Sequence, residues 1–154
     1  MIEYRKALPS DANDLARIRG LFSAEVNGLD TSDKRIAEIE RANLAYFTSA
    51  LADGSFVAWL ALDGNEIVAT SGLSFSVTPP NFACPDGRVA YIMNMFTFPA
   101  YRSQGLATEL FGRIAGEAKN LGYKKITLNA TATGRPLYEK YGFRDAHGEM
   151  ELYV

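Results

Sequence analysis

Cysteine, histidine and surplus positive charge are all scarce in this 154-residue chain. Cys84 is the single cysteine, so no intrachain disulfide can form and no cysteine-based zinc site can be built. It stands between Ala83 and Pro85 in an expected loop, with no activating neighbour to make it a nucleophile. His147, the single histidine, sits beside Gly148 and reads as a surface turn residue rather than a base. No metal site is expected. Lys and Arg number 16 against 18 Asp and Glu, a formal charge of −2. A general nucleic-acid binder draws most of its affinity from phosphate neutralisation and carries a basic surplus, which this chain lacks. Long hydrophobic runs are missing too. No window would span a bilayer, and the opening Met1-Ile2-Glu3-Tyr4-Arg5-Lys6 has no apolar leader core. The expectation is a cytoplasmic protein with no membrane or nucleic-acid partner. Without repeats, low-complexity tracts or linkers, residues 1–154 are expected to form a single domain.

What is present is a sequence of alternating periodicities. Residues 2–7 read as a short strand, and Ser10 as the N-cap of a helix carrying Leu15, Ile18, Leu21, Phe22 and Val26 on one face. Thr31-Ser32-Asp33 opens a second helical pattern through Leu51. The β-rich run 56–62, with Trp59 expected in the core, turns at Asp63-Gly64-Asn65 into a return strand over 67–77. Residues 78–88 hold three prolines and a glycine and read as a loop. A strand over 89–98 follows, then a helix over 104–120, a strand over 125–129 and a short helix over 135–140. The alternation in 149–154 predicts a final strand. The layout is α/β (α+β), with helices around a single mixed sheet.

The segment from Tyr91 to Ala107 concentrates the chemistry. A strand runs into a tight turn, Arg102-Ser103-Gln104-Gly105-Leu106-Ala107, which runs directly into a helix. The first turn of a helix has backbone N–H groups without internal partners, and the helix dipole adds positive potential there. Such a turn suits phosphate. Gly105 lets backbone approach an anion closely, and Arg102 adds a cation. No Gly-Lys-Ser/Thr follows and the three-glycine spacing is absent, so this is neither a P-loop nor a Rossmann turn. By itself the pattern fits an ordinary helix start as well as a phosphate site.

Three stretches in order resemble the GCN5-related N-acetyltransferase (GNAT) family. Phe98-Pro99-Ala100-Tyr101-Arg102-Ser103-Gln104-Gly105-Leu106-Ala107 resembles its pyrophosphate signature, Arg/Gln-x-x-Gly-x-Gly/Ala. Leu137-Tyr138-Glu139-Lys140-Tyr141-Gly142-Phe143 resembles its late Leu-Tyr-x-Lys-x-Gly-Phe helix, and Ile2 to Ala7 followed by Asp11 resembles its opening. The resemblance spans nearly the whole chain. It implies a mostly antiparallel sheet with splayed central strands, helices on both faces, and acetyl-CoA as cosubstrate.

It also implies roles for individual residues. The pantetheine arm would lie in the splay against the backbone of Met95, Phe96 and Thr97. The pyrophosphate would meet the amides of Arg102, Ser103, Gln104, Gly105, Leu106, Ala107 and Thr108. Tyr138 would protonate the departing thiolate, since a phenol with pKa near 10 can donate in a positioned geometry. Its bland alternative is an aromatic packing residue. Many relatives carry a glutamate on the strand before the signature, where this chain has Tyr91-Ile92-Met93-Asn94-Met95. Asn94 can orient a water or polarise a substrate but cannot take a proton. Glu25, Asp30 and Asp86 remain as candidate acids, with Glu25 and Asp30 near the expected acceptor mouth. Relatives often have an asparagine where Thr131 stands; Thr131 and Asn129 would share its pantetheine contacts. The implied activity is acetyl transfer to a small-molecule amine or a peptide N-terminus. The alternatives are an acyl-CoA sensor that has lost turnover and an unrelated nucleotide-phosphate binder. Relatives are often dimers, so a homodimer is an expectation.

Overall fold

A computed structural model describes residues 1–146 and 148–154. His147, read above as a turn residue, lies outside the described residues. Five strands form one sheet: β1 (Ile2–Lys6), β2 (Phe56–Asp63), β3 (Glu66–Val77), β4 (Arg88–Thr97) and β5 (Lys125–Leu128). They lie in chain order across the sheet. β1 to β4 are antiparallel neighbours, and β5 joins β4 in parallel. The β4–β5 connection carries α3 (Leu106–Asn120), as a parallel crossover requires.

Helices cover both faces. α1 (Ala12–Val26) and α2 (Lys34–Asp53) pack Leu15, Ile18 and Phe47 against Phe56, Leu60 and Phe96. On the other face α3 and α4 (Arg135–Tyr141) pack Phe111, Ile114 and Tyr138 against Leu73 and Ile92. Each such large side chain, fully buried, contributes about 1.5–3 kcal/mol. Trp59, expected in the core, is half-buried instead, because its indole N–H donates to Glu117 at 3.2 Å.

Two expectations fail. Ser10 does not cap α1. Pro9–Asp11 forms a 3-10 turn, which leaves Asp11 next to the helix. Its carboxylate takes the Leu8 amide at 2.6 Å and the Arg5 guanidinium at 2.8 and 2.9 Å. The Arg5 bonds hold the Asp11 carboxyl below the usual range. The 149–154 segment is not a strand. Its apolar members stay in solvent, Met150 at 93% and Leu152 at 86% exposure, because alternation gains nothing without a partner strand. Among the described residues no helix is long and apolar enough to cross a membrane, and no three His, Cys, Asp or Glu gather to hold a metal.

Candidate active site

The site begins with a fault in the sheet. Thr70 pairs with Phe96 and Gly72 with Met93, so Ser71 alone faces Asn94 and Met95. This is a β-bulge, the usual device for bending a strand and re-aiming a side chain beside a site. Asn94 takes it with φ 59°, and its carbonyl accepts from the Thr70 hydroxyl at 2.8 Å. β4 pairs with β5 only from Val89 to Ile92. Beyond that the strands part, and the β4 edge through Met95, Phe96 and Thr97 faces an opening.

At Met95 that opening meets a cleft of about 310 Å³, which Phe96 and Thr97 do not line. Arg19 and Phe22 of α1, Tyr91, Asn94 and Met95 of β4, Asn129 and Thr131 after β5, and Tyr138 of α4 line it. A larger cleft of about 450 Å³ between α1 and α2 contains none of the expected site residues.

Asn94 is 3% exposed. Its Oδ1 accepts from Arg19 Nη1 at 3.2 Å, while its Nδ2 is buried without a hydrogen-bond partner among the described residues. Burial lowers the pKa of Arg19, and the facing Tyr91 opposes this. Burial also raises the Tyr91 and Tyr138 phenols, Tyr91 against the opposing pull of Arg19. Tyr138 packs on Phe111 with ring centres 5.0 Å apart. Its ring passes so close to Gly134 that a Cβ there would meet the hydroxyl at 2.8 Å. Thr131 Oγ1 accepts from the Gly134 amide at 3.1 Å, and its carbonyl accepts from the Arg135 amide. The threonine therefore ties down the loop ahead of α4 as well as lining the cleft.

The turn lies at the far end of β4. After a 3-10 turn at Pro99–Tyr101, Ser103 takes φ 60° and Gly105 φ 84°. The first helical backbone bond is Glu109 to Gly105 at 3.1 Å. Among the described residues, the amides of Ser103 through Thr108 donate to no protein acceptor. A Cβ on Gly105 would meet open space, so its positive φ is what demands glycine. These groups fit a pyrophosphate. Arg102 is not aimed at them. Its Nε donates to the Thr97 carbonyl at 2.9 Å, and its guanidinium meets Glu25 at 2.8 Å. Gln104 donates its side-chain amide to Ala100.

The structure thus brings Asn94, Met95, Asn129, Thr131 and Tyr138 to one cleft. It does not bring the candidate acids there. Glu25 is held by Arg102 at the turn. Asp30 accepts from the amide and hydroxyl of Ser32, and Asp86 from the Arg88 amide. Cys84 is buried in the 78–88 loop. Sequence reasoning missed Arg19. The available signal was a cation within the apolar stripe Leu15, Phe22 and Val26 of α1.

The comparisons with known proteins agree with this geometry. The model of the acetyltransferase (GNAT) family matches residues 21–143, and the chain belongs to that family. A predicted acetyltransferase from Clostridium acetobutylicum, solved with acetyl-CoA, is 37% identical. The match covers 99% of this chain and 96% of that one, with a TM-score of 0.85. A GCN5-related N-acetyltransferase from Ralstonia eutropha JMP134 is 27% identical over 100% and 99% of the two chains, with a TM-score of 0.88. A ribosomal-protein-alanine N-acetyltransferase from Brucella melitensis biovar Abortus 2308 is 17% identical over 100% and 99%, with a TM-score of 0.71, and shares the fold. No curated relative matches the sequence.

Proposed function

We propose that the protein transfers the acetyl group of acetyl-CoA directly to the primary amine of a small molecule within a ternary complex. One observation carries this reading: the edge of β4 that faces β5 is unpaired from the Asn94–Tyr138 cleft toward the free amides of Ser103–Thr108. A phosphate held at the turn and a thioester held at the cleft would lie along one open strand edge.

Acetyl-CoA supplies an activated acyl group, whose C–S bond breaks as the N–C bond forms. An ammonium acceptor gives up two protons in all, and the sulfur recovers one. Tyr138 holds a proton at Oη at neutral pH, because burial raises its pKa from an ordinary 10.0. That makes it the donor to the leaving sulfur. Asn94 accepts no proton, so the nitrogen loses its protons to water in the cleft. The Ser103–Thr108 amides bind the pyrophosphate at the positive end of α3.

A coenzyme A-binding module without turnover is the second reading. What favours it is that no carboxylate lines the cleft among the described residues. Two measurements decide. Saturating acetyl-CoA should raise the melting temperature, since a ligand stabilises the state it binds; no rise sinks both readings. Free-thiol release across a panel of amines should then show turnover, and none with any amine leaves the binding module.

A further inference from the structure

Arg19 is set in the wall of the cleft in an unusual way. Arg5, Arg35, Arg102 and Arg135 each have a carboxylate within 2.8 Å. Arg19 has none among the described residues. Its hydrogen bond goes to Asn94 Oδ1 at 3.2 Å, and the guanidinium lies 5.3 Å from the centre of the Phe22 ring. Asn94 is held by that bond and by the bulge, and its Nδ2, on the same buried carboxamide, has no acceptor among the described residues. A withdrawn cation and an orphaned amide donor therefore sit side by side, on α1 and β4, lining one cleft.

We infer that Arg19 and Asn94 form a receptor for a carboxylate on the acceptor, so that the acceptor is an amino acid or a similarly small amine bearing a carboxylate. The inference rests on the acetyl-transfer reading above. A carboxylate offers two oxygens, one for the guanidinium fork and one for the amide. A neutral carbonyl would satisfy Asn94 but leave the Arg19 charge unbalanced in a desolvated wall. A polyamine or an aminoglycoside would bring more positive charge against Arg19. A peptide N-terminus carries no carboxylate next to its amine. Tyr91 does not supply the counter-charge, because burial keeps its phenol neutral, and Glu149 and Glu151 bear on Tyr91 without an ion pair to Arg19 among the described residues.

The test pairs each acceptor with its decarboxylated twin: methionine with 3-(methylthio)propylamine, phenylalanine with 2-phenylethylamine, lysine with cadaverine. With saturating acetyl-CoA, the better amino acid should exceed its twin in kcat/KM by on the order of 100-fold, as a site built for a charged hydrogen-bond partner does. Arg19→Gln should collapse that ratio to within a few fold, chiefly through KM, and Arg19→Lys should restore part of it. Twins used equally well, or better, would overturn the inference. An independent readout does not need turnover. In the full 15N-labelled chain saturated with coenzyme A, the Asn94 side-chain amide should shift with the amino acids and not with their twins. No shift with any amino acid overturns the inference. So does a shift produced by acetyl-CoA but not by coenzyme A, which would assign the oxygen to the thioester. A chain that fails to bind acetyl-CoA at all refutes the acetyl-transfer reading, a different result from loss of carboxylate preference.

Discussion

The Ser103–Thr108 turn and the Asn94–Tyr138 cleft lie at two ends of one strand and are built by opposite means. The turn is made of backbone. Its groups are amides of consecutive residues, Ser103 to Thr108, while the Arg102 and Gln104 side chains bond to the backbone of Thr97 and Ala100. The cleft is made of side chains from α1, β4 and α4, with the segment after β5. Both ends use strain. Asn94 and Ser103 are the non-glycine residues at positive φ among the described residues, a conformation that costs about 1–3 kcal/mol each. At the turn it aims amides, and at the bulge it aims a carboxamide. A backbone site can serve any acetyltransferase of this fold, whereas a side-chain site can be particular to one.

Substitutions can break this comparison. The largest effect is expected for Gly105→Trp. A bulky residue at φ 84° is strained and would fill the open space above the amides. Affinity for acetyl-CoA should fall at least about 100-fold, the domain losing only about 1–3 kcal/mol of stability. Calorimetric titration and unliganded melting measure both; retained affinity would show that the turn is not the phosphate site. Tyr138→Phe should lower kcat on the order of 100-fold while the dissociation constant of acetyl-CoA stays the same. An unchanged kcat removes Tyr138 as the proton donor. In the parent enzyme the alkaline limb of kcat should lie above pH 10, since the burial-raised phenol stays protonated to that point and loses its proton beyond it.

Gly134→Ala tests whether the cleft depends on placement. Its Cβ would push the Tyr138 hydroxyl, and kcat should drop roughly tenfold, because small misplacements of a reacting group are costly. Cofactor affinity should not move; if it does, Gly134 belongs to the donor half as well. The smallest effect is expected for Glu25→Ala. The Glu25–Arg102 pair is exposed on both sides and worth about 0–1 kcal/mol. Removing it frees Arg102 for phosphate, so acetyl-CoA should bind up to about fivefold tighter. Weaker binding would mean that Glu25 holds Arg102 in its working position.

The same division explains what could be read beforehand. The strands, the four helices and the turn follow from local periodicity and from a glycine before an apolar helix, and all were legible. The 149–154 alternation was equally clear and yet forms no strand, because pairing needs a partner that local pattern cannot supply. Ser10 was a sound cap by type, but Pro9 wound the chain past it. The family resemblance put Glu25 near the mouth, and the fold pairs it with Arg102 instead.

The sequence by itself determined the turn. Free amides and a helix dipole are properties of neighbouring residues, so Ser103 to Thr108 carry them wherever the turn forms, while the Arg102 amide, expected among them, donates to the Pro99 carbonyl instead. Only the tertiary structure decided the cleft. Arg19 and Asn94 are 75 residues apart, and neither is remarkable alone. They meet because α1 packs across the bulge of β4. That contact depends on the whole apolar layer between helices and sheet rather than on any local pattern.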